Sequence, residues 1–268
     1  MCNCQLIRAI LAIDAAWTSA EPSGVAVVGE CPCGWRCLAV APSYCSFLAL
    51  VNNGTAVNWN QSSFPGQWPN PKDLVAAAMK LAGRLDLVTA DIPLATVPIT
   101  GRRAADSAIS RTFGVRGCAA HSPSANRPGQ IGVAIFNGFA NCRFPLATTT
   151  ISGPGKLVEV YPHPALLTLL NANYRVTYKV SRSGKYWLGM KAPCRVVHLL
   201  SSFGNITKAL GTHISGITIP LPNNANTLPG LKRYEDAIDA LVCAWVGICY
   251  LNSSATPYGD PTAAIWVP

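Results

Sequence analysis

Short apolar runs that stop on an acid recur along this chain. Arg8-Ala-Ile-Leu-Ala-Ile-Asp14 is the first, and Ser23-Gly-Val-Ala-Val-Val-Gly29 and Trp35-Arg-Cys-Leu-Ala-Val40 follow it across tight polar turns. Three short strands so connected predict an antiparallel meander, with Asp14 at the C-terminal end of its first strand. Residues 42–70 are rich in Pro, Asn, Gly and Ser and read as a long loop. Pro71 to Gly83 fits a helix that begins on Pro and stops on Gly. Leu85-Asp-Leu-Val-Thr-Ala-Asp91 then supplies a fourth strand that again ends on an acid. A strand, a crossover helix and another strand imply parallel pairing. If this strand pairs with the first, Asp14 and Asp91 share one edge of the sheet.

The later pattern is more broken. Thr100 to Phe113 predicts a helix carrying Arg102, Arg103 and Arg111, and Ile131 to Cys142 predicts another. Between them, Gly114 to Gly132 is a Gly/Pro/Ser-rich loop with Arg116, His121, Arg127 and Gln130, long enough to suggest function. His121 reads as a polar loop residue, with proton transfer as the alternative. Lys156 to Val160 makes a fifth strand with Glu159 inside it, a costly position unless the carboxylate is paired or liganding. Short helices are expected at Pro164–Leu170 and Pro193–Ser202, loop and strand-like pieces over 203–230, and an edge strand in the last residues.

A final helix from Lys232 to about Leu251 carries Asp236 and Asp239. Residues three apart share a helix face, with Cβ atoms roughly 5–6 Å apart. Two carboxylates that close repel. The positive helix N-terminus offsets part of that cost, and a bound divalent cation offsets more.

Composition narrows the class. A chain of 268 residues, half of them hydrophobic, suits one elaborated α/β domain over 1–268, with an insertion at about 92–150 and a basic segment at about 172–230. No apolar run reaches the ~20 residues that span a bilayer, so no membrane partner is expected. The N-terminus lacks a signal-peptide layout. Eleven cysteines scattered through apolar segments predict mostly buried, reduced thiols and a cytoplasmic protein. Cys31, Cys33 and Cys37, with Cys2 and Cys4 upstream, could supply thiolates to zinc or form a surface disulfide. Oligomeric state is open, and a homodimer is compatible with the sequence.

Charge is regional. Residues 1–91 hold five Lys/Arg against six Asp/Glu, whereas residues 92–268 hold sixteen against six. No carboxylate lies between Tyr161 and Tyr234, where Lys179, Lys185 and Lys191 alternate with Tyr174, Tyr178, Tyr186 and Trp187. That mixture suits phosphate contacts and base stacking on DNA or RNA. The expected substrate-binding residues are therefore Arg102, Arg103, Arg111, Arg127, Lys179, Lys185 and Lys191, around a negative centre.

The element order resembles the ribonuclease H-like fold, which implies a central mixed five-stranded sheet flanked by helices, with an insertion after the fourth strand. Asp14, Asp91 and the Asp236-Ala-Ile-Asp239-Ala-Leu241 pair resemble the acidic set of RuvC-type Holliday-junction resolvases. Along most of the chain, Ala12–Trp17, Ala90–Leu94, Arg103–Asp106, Val158–Pro162 and Tyr234–Trp245 resemble the predicted nucleases of domain-of-unknown-function family 429. Two departures are Asp91, where RuvC-type enzymes use Glu, and the extra acid Glu159. The resemblance implies a metal-dependent nuclease. Two-cation hydrolysis of phosphodiesters suits an all-carboxylate site holding Mg²⁺ or Mn²⁺. On this reading the catalytic set is Asp14, Asp91, Glu159, Asp236 and Asp239, with Asp14 bridging and Asp91 and Asp236 or Asp239 completing the metal ligands. Two alternatives compete: a non-catalytic nucleic-acid-binding module, and an actin-like ATP phosphotransferase. The latter lacks support from a Gly-rich turn directly after Asp14.

Overall fold

The computed structural model describes residues 5–61, 63–149, 153–181, 189–222 and 228–268. Strands β1 (Arg8–Asp14), β2 (Gly24–Cys31) and β3 (Gly34–Ala41) form the expected antiparallel meander. β4 (Leu87–Asp91) pairs parallel to β1, and β5 (Lys156–Val160) parallel to β4. Helix α2 (Pro71–Ala82) provides the crossover, with Asn70 capping its start and Gly83 in the left-handed region ending it.

The sheet is larger than five strands. Its order is β6-β3-β2-β1-β4-β5-β8-β7, with β6 at Ile214–Ser215, β7 at Thr256–Asp260 and β8 at Ala263–Val267. The last residues were expected at the edge, yet β8 lies inside, parallel to β5, and β7 takes the edge. Asp260 forms the turn between these two strands. Its Oδ1 accepts from the Thr262 N–H and hydroxyl and from the Ala263 N–H, closing a tight hairpin that folds β7 outside β8.

Residues 42–70, expected to be a long loop, begin with a helix. Helix α1 (Tyr44–Asn53) occupies the first part, capped by the Ser43 hydroxyl and ended by Gly54 at φ 68°. These are ordinary start and stop signals, hidden by the Pro- and Asn-rich residues that follow. The other helices are α3 (Ala104–Phe113), α4 (Gln130–Asn141), α5 (Pro162–Leu169), α6 (Ala192–Leu210) and α7 (Lys232–Leu251). α6 extends well beyond the predicted Ser202, because Leu199, Phe203, Ile206 and Leu210 continue one buried face.

β1 is apolar at every interior position because both its faces are covered. Leu11 and Ile13 face a core shared with α1, α2 and α4, while Ile10 and Ala12 face the core under α7. α7 is buried around almost its whole circumference, as expected of a central helix. Two glycines seat it. A methyl group on Gly247 would press on Ile10 and Thr89 side chains, and one on Gly24 would land on the Asp236 backbone carbonyl. The acid-bearing turn of α7 is thereby held directly against the start of β2.

A carboxylate-lined cleft at the sheet edge

The register of β1 and β4 sets Asp14 directly beside Asp91. Adjacent strands lie about 4.8 Å apart, so two carboxylates are juxtaposed where both strands end. Gly24 is Asp14's partner on the other side, and its lack of a side chain brings Asp236 to the same place. Asp14, Asp91 and Asp236 line one cleft of about 580 Å³. Trp17, Glu21, His121, Ser122, Ser124, Arg127, Lys179, Ser181 and Lys232 complete its walls.

Asp239 lies deeper. It is fully buried, accepts a 2.6 Å hydrogen bond from the Tyr178 hydroxyl, and is ion-paired to Lys179. Glu235, which is not in the set expected from the sequence, is buried between Lys179 at 3.4 Å and Lys232 at 2.9 Å and accepts the Val180 N–H at 2.6 Å. Lys232 also pairs with Asp236. Its positions three and four residues before Glu235 and Asp236 were a readable helical signal.

In this cluster carboxyl groups outnumber lysines. Five carboxylates, Asp14, Asp91, Glu235, Asp236 and Asp239, face the ammonium groups of Lys179 and Lys232, and neither Asp14 nor Asp91 has an ion-pair partner among the described residues. Burial raises the pKa of Asp14, against the pull of Lys179 and Lys232. Burial, then the neighbouring Asp14, pushes Asp91 well above the usual carboxylate range. Burial does the same to Asp236, reinforced by Asp14 and Glu235. Asp239 is raised to about 7, first by burial. For Glu235 burial is overcome by the two lysines, and its pKa falls.

Glu159 has other work. Its oxygens accept two 2.7 Å bonds from Arg103 and one of 2.8 Å from the Leu94 N–H. Arg103 also pairs with Asp106 at 2.7 Å. The side chain that sequence reasoning placed on substrate is thus a buried clasp joining α3 to β5. Arg102 is bonded to the Ser110 and Ser122 hydroxyls and to backbone carbonyls, Arg111 is exposed on α3, and Lys191 is exposed at the start of α6. None of these lines the cleft, whereas Arg127 and Lys179 do. Lys185 lies outside the described residues. Trp17 and His121 were not assigned to the site from sequence. Trp17 lies three residues beyond Asp14, and the Arg127 guanidinium sits 5.6 Å from its ring centre.

Could the site hold a cation? Among the described residues no three His, Cys, Asp or Glu side chains form a ready coordination shell. The donor chemistry nevertheless fits a hard divalent ion. The cleft acids are all oxygen donors, and Asp236 Oδ2 is buried without a hydrogen-bond partner. A buried excess of negative charge is retained only with protons or a cation to balance it.

The fold and cleft define a mixed α/β protein with an acidic centre where parallel strands end. Residues 13–263 match the model of the family described as "Protein of unknown function (DUF429)", and the chain belongs to that family. No curated protein and no solved structure matches the chain. Among the described residues no helix is long and apolar enough to cross a membrane.

Proposed function

We propose that this protein is a divalent-metal-dependent nuclease that hydrolyses phosphodiester bonds of DNA or RNA. The observation that carries the reading is the side-by-side placement of Asp14 and Asp91 in the β1–β4 register, with Asp236 delivered beside them by α7. The strand order β3-β2-β1-β4-β5, with β2 alone antiparallel to β1, supports the ribonuclease H-like character.

Asp14, Asp91 and Asp236 would hold Mg²⁺ or Mn²⁺. When bound, such ions activate water and neutralise charge on the phosphoryl oxygens. The protein's own groups do the rest. Asp239 fixes Lys179 in the wall, Lys232 is held by Glu235 and Asp236, and Arg127 and His121 line the same cleft. A phosphate entering the cleft would meet these cationic groups. Trp17 offers a ring on which a base can stack. Glu159 keeps α3 against the sheet through Arg103 and needs no place in the chemistry.

A second reading has one observation in its favour: Lys179 and Lys232 already pair with Asp239, Glu235 and Asp236. A cluster so neutralised would suit a nucleic-acid-binding module without turnover. Labelled single-stranded, duplex and branched DNA and RNA incubated with Mn²⁺ separate the two. The nuclease reading expects cleavage by the native chain, loss of cleavage in Asp14→Asn and Asp91→Asn, and unchanged far-UV spectra in both. Salt-sensitive binding without products would establish the module, and undiminished cleavage by Asp14→Asn would remove the paired acids from the chemistry.

A further inference from the structure

At the far end of β2 from the cleft lies a second cluster of reactive side chains. The β2–β3 hairpin turns through Cys31-Pro32-Cys33-Gly34, with Cys31 paired to Gly34. Pro32 fixes its own backbone, and Gly34 at φ 111° completes a turn that residues with a Cβ rarely adopt. The turn brings the two sulfurs together, with Sγ–Sγ 3.0 Å. Cys33 is exposed and Cys31 is buried beneath it. Cys31's thiol is drawn below the ordinary thiol range, first by the hydrogen bond from Cys33, and Arg36 adds to the effect. Cys37, the third cysteine of the cluster, packs against the core, and burial raises it to about 12. The trio does not gather as a zinc site among the described residues; Cys2 and Cys4 lie outside them.

We propose that Cys31 and Cys33 form a reversible dithiol–disulfide site, oxidised by thiol–disulfide exchange with a low-molecular-weight disulfide such as oxidised glutathione. A disulfide needs the sulfurs at about 2.05 Å, so closing the bond takes roughly 1 Å of side-chain movement within one turn. The exposed Cys33 thiolate attacks the small disulfide, giving a mixed disulfide and releasing one thiolate. The Cys31 thiolate then attacks the Cys33 sulfur, forming the Cys31–Cys33 bond and expelling the second thiolate. The protein loses two protons and two electrons, and the oxidant becomes two thiols. The strand spacing puts this site roughly 23 Å from the Asp14–Gly24 pair, outside the cleft.

Trypsin makes the test specific. Between Arg8 and Arg36 there is no Lys or Arg, so one peptide, residues 9–36, carries Cys31 and Cys33 and no other cysteine. The full-length native protein is incubated with oxidised glutathione, alkylated without reduction and digested. The proposal expects this peptide to lose two hydrogens, to take no alkyl group, and to recover both thiols after dithiothreitol. In Cys31→Ser the same peptide should keep a stable glutathione adduct on Cys33. Two alkylated cysteines in the treated native peptide, a persistent adduct there, linkage to the peptide containing Cys37, or stoichiometric zinc that Cys33→Ser abolishes would each overturn it.

Discussion

Replacing Asp14 by Asn should make the metal-free protein more stable at high pH. Two charges about 5 Å apart at an effective dielectric near 20 repel by roughly 3 kcal/mol, and the β1–β4 register sets Asp14 and Asp91 at about that spacing. Lys179 and Lys232 recover part of this for Asp14, but burial outweighs them and its pKa is raised. A carboxyl raised on folding stabilises fully below its unfolded pKa, and that contribution is lost as pH rises through the folded value. In chelator, native stability should therefore fall from pH 4 upward through the raised values of Asp14, Asp91 and Asp236. Asp239, raised to about 7 first by burial, extends that fall to neutrality. His163 acts oppositely near neutrality, because burial holds it neutral, but it is common to both proteins and cancels in the comparison. Asp14→Asn should match the native chain at pH 4 and exceed it by about 1–3 kcal/mol at pH 8. Urea unfolding should show this as a midpoint increase on the order of 0.5–1 M. Adding Mn²⁺ at pH 8 should raise the native midpoint more than that of the variant. A variant less stable than native in chelator at pH 8 would show that the Asp14 charge is needed by the fold, and would refute the argument.

Two other perturbations test the scaffold. Gly24→Ala should cost about 1–3 kcal/mol or more, because the added methyl meets the α7 backbone rather than a side chain that can turn. Gly204→Ala on α6, with open space around it, is the control and should be neutral or stabilising by thermal unfolding. Arg103→Ala leaves Glu159 and Asp106 buried without their partner and should cost about 3–5 kcal/mol at pH 7, less in acid where Glu159 takes up a proton. A loss below about 1 kcal/mol by urea unfolding would mean that the clasp is replaceable.

Much of this was readable along the chain because it depends on local pattern. β1 and β4 each end on an acid after an apolar run, and one crossover helix dictates their parallel pairing, so the meeting of Asp14 and Asp91 follows from near-neighbour rules. The long α7 announced itself the same way. Partners across the fold were not legible. Arg103 and Glu159 looked like site residues because an arginine near a basic loop and a carboxylate in a strand both need explanation, and only the fold shows that each explains the other. Glu235 does not stand out in the sequence, because an acid in a first turn has a common local reason. Its burial between two lysines, one 56 residues earlier, is invisible to helical spacing. β8 was misplaced because an apolar pentapeptide does not reveal which of two hairpin arms will lie inside.

The separation of the cleft's acids also has a consequence for biosynthesis. Asp91 leaves the ribosome 145 residues before Asp236, and the Lys179 and Lys232 counter-charges come late as well. Until α7 docks in its glycine seat, a nascent chain presents only two neighbouring aspartates at an unfinished sheet margin. C-terminal truncations ending before residue 232 should therefore be inert even where the meander has folded.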